Sequence, residues 1–101
     1  MKRGTAVLLT AFPLAAFAQA DSQLEGMRLF NQSCRVCHTR PQTTSPQYAP
    51  PLSRVSLGGN AEAMKAFIAG GSARMPGFRY HFKPAEIDAI VSYLKTLPES
   101  D

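Results

Sequence analysis

Within the stretch NQSCRVCHTRP, the five residues Cys34-Arg35-Val36-Cys37-His38 hold both cysteines of the chain and one of its two histidines. Cys-x-x-Cys-His is the signature of covalent haem attachment. On a single helical turn, two thiols at this spacing can each add to a haem vinyl group. The next residue, His38, then reaches the iron from the same side. Anchoring and axial ligation come from one turn of chain.

Three other readings of the same residues are weaker. A structural zinc site wants four ligands, commonly as two spaced pairs. Here only His81 could join the set, and adjacent Cys37 and His38 do not both point easily at one metal. A thioredoxin-like redox pair wants a βαβ setting, and no strand alternation accompanies this one. A Cys34–Cys37 disulfide closes a very small loop, which restrains little of the unfolded chain, and it leaves His38 without a role.

With His38 on one side of a haem iron, the other side needs a thioether or an imidazole. The candidates are Met27, Met64, Met75 and His81. Met27 shares its helix with His38 and would have to cross to the opposite face. Met64 lies in a helical stripe with Phe67 and Ile68, where methionine ordinarily fills core. Met75 sits in a loop, in the run Ala73-Arg74-Met75-Pro76-Gly77, far enough beyond His38 to come around a planar cofactor. Pro76 stiffens the backbone beside it. Met75 is therefore the expected distal ligand, with His81 as runner-up. Closed His/Met ligation favours one-electron transfer over substrate chemistry, and methionine raises the potential relative to a second histidine.

The elements that must position these groups are helical. Residues 1–20 have a basic start, an apolar run from Ala6 to Phe17, and the small-residue site Ala18-Gln19-Ala20. That is the layout of a secretory signal peptide cleaved after Ala20. Its removal leaves 81 of the 101 residues, residues 21–101, as one domain. Lys2 and Arg3 leave with it, so 9 Lys/Arg face 7 Asp/Glu and the net charge falls from +4 to +2. The remaining cations are scattered, which gives no support to nucleic acid binding. No later apolar run is long enough to span a membrane. A domain this small is often marginal without a staple, and a haem in its core would serve as one.

A first helix is expected from Asp21 to about His38. Ser22 and Glu25 match a capping box, and Leu24, Met27, Phe30 and Val36 recur roughly on one face. From Thr39 to Gly59 four prolines, Pro41, Pro46, Pro50 and Pro51, exclude a regular helix. A second helix is expected from the N-cap Asn60 to Gly70-Gly71. A third starts at Pro84, carries Ile87, Ile90, Val91 and Leu94 at helical spacing, and ends before Pro98. The fold class is all-α.

In these features the sequence resembles the class I c-type cytochromes over nearly the whole of residues 21–101. Cys34, Cys37 and His38 match the family's attachment motif, and Met75-Pro76 its methionine segment. Gly26 and Phe30 resemble the pair on the family's first helix that crosses an aromatic and a leucine on the last, here Tyr93 and Leu94. The segment APPL resembles the proline stretch beside the proximal histidine, so Pro50 or Pro51 is implied to offer a carbonyl to His38. The run TRPQTTSPQ departs from the family's glycine-rich turn. The resemblance implies three to four helices around one covalent haem c. It implies a periplasmic carrier that exchanges electrons with proteins such as a periplasmic dehydrogenase and a terminal oxidase or another cytochrome. Arg40, Arg54, Arg74, Arg79, Tyr48 and Tyr80 fall in segments expected to surround the cofactor. The alternatives are a dedicated electron-accepting subunit of a periplasmic dehydrogenase, a haem sensor or peroxidase with a labile sixth ligand, and a haem-free disulfide protein.

Overall fold

The structure is a computed structural model that describes residues 14–39 and 47–99, together with Gly4. The described residues are helical, with no strand. Four α-helices follow in order, α1 (Leu14–Ser33), α2 (Arg35–His38), α3 (Ala61–Gly70) and α4 (Pro84–Leu94), with a 3-10 turn at Ser56–Gly59 before α3. Pro41 and Pro46 of the expected loop, and Arg40, lie outside the described residues.

The α1/α4 crossing organises the core. Gly26 is buried where α4 passes: a Cβ there would overlap the Ala89 carbonyl and stand 2.9 Å from Tyr93 Cβ. Glycine is needed at this position because the backbones themselves are in contact. Four residues on, the Phe30 ring meets the Tyr93 ring at a centroid distance of 5.3 Å and a tilt of 55°, a favourable aromatic arrangement. Leu29, Ile90, Val91 and Leu94 close around this contact, with Ile90 wholly buried. Each such side chain contributes roughly 1.5–3 kcal/mol by leaving water.

This crossing corrects the expected face of the first helix. Leu24 is 61 % exposed and Val36 81 %, and Met27 too faces outward. The buried stripe is instead Gly26, Leu29, Phe30 and Cys34. The glycine decides it, because the side of α1 that α4 can approach most closely must be the side without a Cβ. The helix boundaries differ as well. In the uncleaved chain α1 begins at Leu14, so there Ser22 lies inside the helix and not at its N-cap. Glu25 reaches forward to Arg28 at 2.6 Å instead of back to a capped amide. At the other end the helix breaks at Cys34 and resumes as α2.

The later helices start where expected, while α4 ends at Leu94, short of Pro98. Asn60 Oδ1 accepts from the Ala63 amide at 3.0 Å and starts α3, which stops at Gly71 with φ 70°. Pro84 opens α4, where Glu86 Oε1 accepts from the Lys83 amide at 2.8 Å. Lys65 of α3 pairs with Asp88 of α4 at 3.3 Å, and this exposed pair is worth under about 1 kcal/mol. Removing the Asn60 cap has a larger effect. Asn60→Ala is expected to lower stability by about 1 kcal/mol and Asn60→Ser by much less, measured as denaturation midpoints.

Candidate haem site

The attachment turn is built from the end of α1 into α2. Cys34 N donates to the Phe30 carbonyl at 2.9 Å, and His38 N donates to the Cys34 carbonyl at 3.0 Å. The turn therefore stays helical across the break, and Cys34, Cys37 and His38 line one wall of a cavity of about 560 Å³. That size falls in the roughly 300–1,000 Å³ range of pockets that enclose small molecules and cofactors. Cys34 is buried, Cys37 half-buried, and neither is bridged. Burial, with a smaller contribution from Cys37 nearby, pushes the Cys34 thiol up to about 11. It is a neutral thiol at neutral pH, as an apolar wall requires.

The segment 47–52 supports this turn from outside. Ala49 N donates to the Cys37 carbonyl at 3.1 Å, and Gln47 Nε2 to the His38 carbonyl at 3.1 Å. His38 Nδ1 lies 2.8 Å from the Pro50 carbonyl. Of the two prolines considered, Pro50 is the one placed as acceptor. A proton held on Nδ1 by that carbonyl leaves Nε2 with its lone pair free for a metal, and such a bond orients the ring.

The other side is formed by α3 and the turn after it. Met75, Pro76 and Phe78 line the same cavity. Gly71 begins the turn in the left-handed region at φ 70°, against the Met75, Pro76 and Gly77 backbone. Ser72 Oγ accepts from the Met75 amide at 3.2 Å, and Ser72 N donates to the Met75 carbonyl at 2.9 Å. Phe78 N and Arg79 N then donate to the Ile68 and Ala69 carbonyls at 2.8 and 3.1 Å. The methionine turn is thereby stitched to the C-terminal end of α3. The proline signal marked this turn in the sequence, whereas Ser72 carried none beyond its place near two glycines.

The alternative sulfur and nitrogen donors are placed differently. Met64 also lines the cavity but is core, only 2 % exposed. Met27 faces outward on α1. His81 is exposed, edge-on to Phe82 at 4.7 Å and to Phe78 at 6.0 Å, and it does not line the cavity. Among the described residues no three His, Cys, Asp or Glu side chains cluster to hold a metal ion. Of the basic and tyrosine residues expected around the cofactor, Arg74 and Tyr48 line the cavity, and Arg54, Arg79 and Tyr80 do not.

The donor set fits a haem. Two thiols and an imidazole come from one turn, a thioether comes from a separate loop, and the wall between is largely apolar. Phe67, expected in the core stripe of α3, is instead 42 % exposed and lines the cavity with Val36 and Leu57. These are large apolar side chains that a flat apolar cofactor would cover. Leu57 sits in the left-handed region at φ 52°, a costly backbone for a residue with a Cβ, and this conformation accompanies its place in the cavity wall.

An all-α fold wrapped about such a cavity defines a small cytochrome c. Residues 21–94 match the family described as cytochrome c oxidase, cbb3-type, subunit III, and the chain belongs to this family of class I c-type cytochromes. It is an electron-transfer protein with covalently bound haem c. The chain is also similar to cytochrome c6 of Nostoc sp. (strain PCC 7120 / SAG 25.82 / UTEX 2576), at 29 % identity over 99 residues, covering 94 % of this chain and 88 % of the relative. No solved structure matches it. Among the described residues no helix is long and apolar enough to cross a membrane.

Proposed function

We propose that this chain is an exported, periplasmic monohaem carrier in which Cys34 and Cys37 anchor the cofactor and His38 and Met75 take opposite sides of its iron. The observation that carries the reading is that all four of these residues line one cavity. Haem supplies the one-electron redox couple. The protein's own groups hold and tune it. Pro50 would keep the His38 proton on Nδ1, the Ser72 turn would hold the Met75 segment at the cavity, and the apolar walls would pack against the haem. With both His38 and Met75 holding the iron, no position would be left for oxygen or substrate, which favours a carrier over a sensor or peroxidase.

Export is supported by the basic and apolar leader, by the Ala18-Gln19-Ala20 site, and by a family match that begins at Asp21. The proposed domain is therefore residues 21–101 after cleavage behind Ala20. Its donors and acceptors are other redox proteins. A periplasmic dehydrogenase is the donor class, and a terminal oxidase or another cytochrome the acceptor class; the family description, which names an oxidase, supports the latter.

The deciding experiment is a reduced-minus-oxidised visible spectrum of protein purified from an exporting host, with haem staining after denaturing electrophoresis and the N-terminal sequence of the product. The expected result is a stained band starting at Asp21, with the weak methionine–iron absorption near the red end in the oxidised state. An unstained band would remove the covalent haem reading, and a bis-histidine spectrum would transfer the distal role to His81.

A further inference from the structure

At the cavity rim the segment beside His38 meets the methionine turn through Tyr48 and Arg74, a pair that the ligand assignments do not use. Tyr48 lies two residues before Pro50, the acceptor for His38. Arg74 lies immediately before Met75. The Tyr48 hydroxyl donates to the Arg74 carbonyl at 3.3 Å, and the Arg74 guanidinium stands over the Tyr48 ring, 4.7 Å from its centroid. That distance is inside the roughly 6 Å reach of a cation–π contact. Arg74 N is also tied to the Ser72 hydroxyl at 3.3 Å. The internal bonds of the 71–77 turn set its shape, and the Tyr48–Arg74 contact sets its place relative to the wall that carries His38.

We propose that Tyr48 and Arg74 are positioning residues that latch the methionine turn to the His38 wall, so that the Met75 thioether stays in place and resists displacement by outside ligands. The proposal rests on the reading of Met75 as distal ligand. The latch joins the chain next to one axial ligand to the chain next to the support of the other. The hydroxyl bond and the ring contact act together, because the same tyrosine serves both the backbone and the side chain of Arg74. Both contacts lie at the exposed rim, so their loss opens the turn without removing core.

The test uses the reduced holoprotein with carbon monoxide as the displacing probe, in wild type, Tyr48→Phe, Tyr48→Ala, Arg74→Gln, Arg74→Lys and Met75→Ala. A hydrogen bond or cation–π contact is worth a factor of roughly two to ten in an equilibrium. Tyr48→Ala is expected to raise carbon monoxide affinity about tenfold. Tyr48→Phe and Arg74→Gln each remove one contact and are expected to fall between it and wild type. Arg74→Lys keeps a cation for the ring and is expected to restore most of the resistance lost in Arg74→Gln. Met75→Ala opens the site fully.

Wild-type affinity in Tyr48→Ala, alongside an open Met75→Ala, would overturn the latch and leave the ligand reading intact. A lowered unfolding temperature in Tyr48→Ala with unchanged carbon monoxide affinity would make the contact structural and also overturn it. A Met75→Ala protein that stays closed to carbon monoxide would overturn both the latch and the ligand reading.

Discussion

Met75→Ala is expected to keep its haem, lose the methionine–iron absorption, bind carbon monoxide readily when reduced, and show a reduction potential lower by on the order of a hundred millivolts or more, within the ~0.8 V range over which axial ligands act. On the proposed reading the haem stays because Cys34 and Cys37, on the wall opposite the methionine turn, would hold it independently of Met75. The potential falls because the thioether is a soft ligand that favours the reduced state, and water or a nitrogen donor in its place does not. The fold is expected to survive, since Met75 is a half-buried residue at the edge of the core and its turn is stitched to α3 through Phe78 and Arg79. Potentiometric titration followed in the visible spectrum checks the result. An unchanged potential and spectrum would remove Met75 from the iron and direct attention to Met64, which lines the same cavity.

Gly26→Val is expected to be the most damaging single change away from the cofactor. A Cβ at this position falls on the Ala89 carbonyl and within 2.9 Å of Tyr93 Cβ, so relief requires moving the backbone of α4. Overpacking a core with flexible neighbours costs about 1–3 kcal/mol. Here the obstacle is a helix backbone, and the loss is expected to exceed about 3 kcal/mol, lowering the unfolding temperature of a domain this size by at least about 10 °C. The separation of α1 from α4 also moves Phe30 off Tyr93 and Cys34 off the cavity wall, so haem attachment during maturation is expected to fall. Leu24→Ala, on the outward face of the same helix, is expected to change stability by no more than about 0.5 kcal/mol. Thermal unfolding and the yield of stained protein measure both.

Much of the candidate site was legible because its signals are local. The attachment pentapeptide occupies one turn, and local hydrogen bonding is enough to place its three groups together. Asn60, Gly71 and Pro84 mark helix ends through their own backbone and side-chain chemistry, and the ends of α3 and the start of α4 fall where those residues put them. The Gly26 and Tyr93 crossing was legible through resemblance, and the contact of the two backbones supplies its physical reason. The outward placement of Leu24 and Val36 was not legible. Apolar spacing identifies a stripe, but which stripe is buried depends on where another helix can approach, and that is decided by an absent side chain on α1. Phe67 was misplaced for a related reason, since a side chain lining a cofactor cavity has the same composition and period as one lining a core.

By itself the sequence pointed to the candidate haem-attachment turn, the all-helical class and a short list of candidate distal ligands, because each depends on residue type and near-neighbour spacing. Tertiary structure decided the rest. It brought Met75 to the cavity and left His81 and Met27 outside it, chose Pro50 over Pro51 as the partner of His38, and set Tyr48 against Arg74 across the rim. These outcomes depend on contacts between segments far apart in sequence: the 47–52 segment bonds to the Cys37 and His38 turn, and the methionine turn bonds to the end of α3.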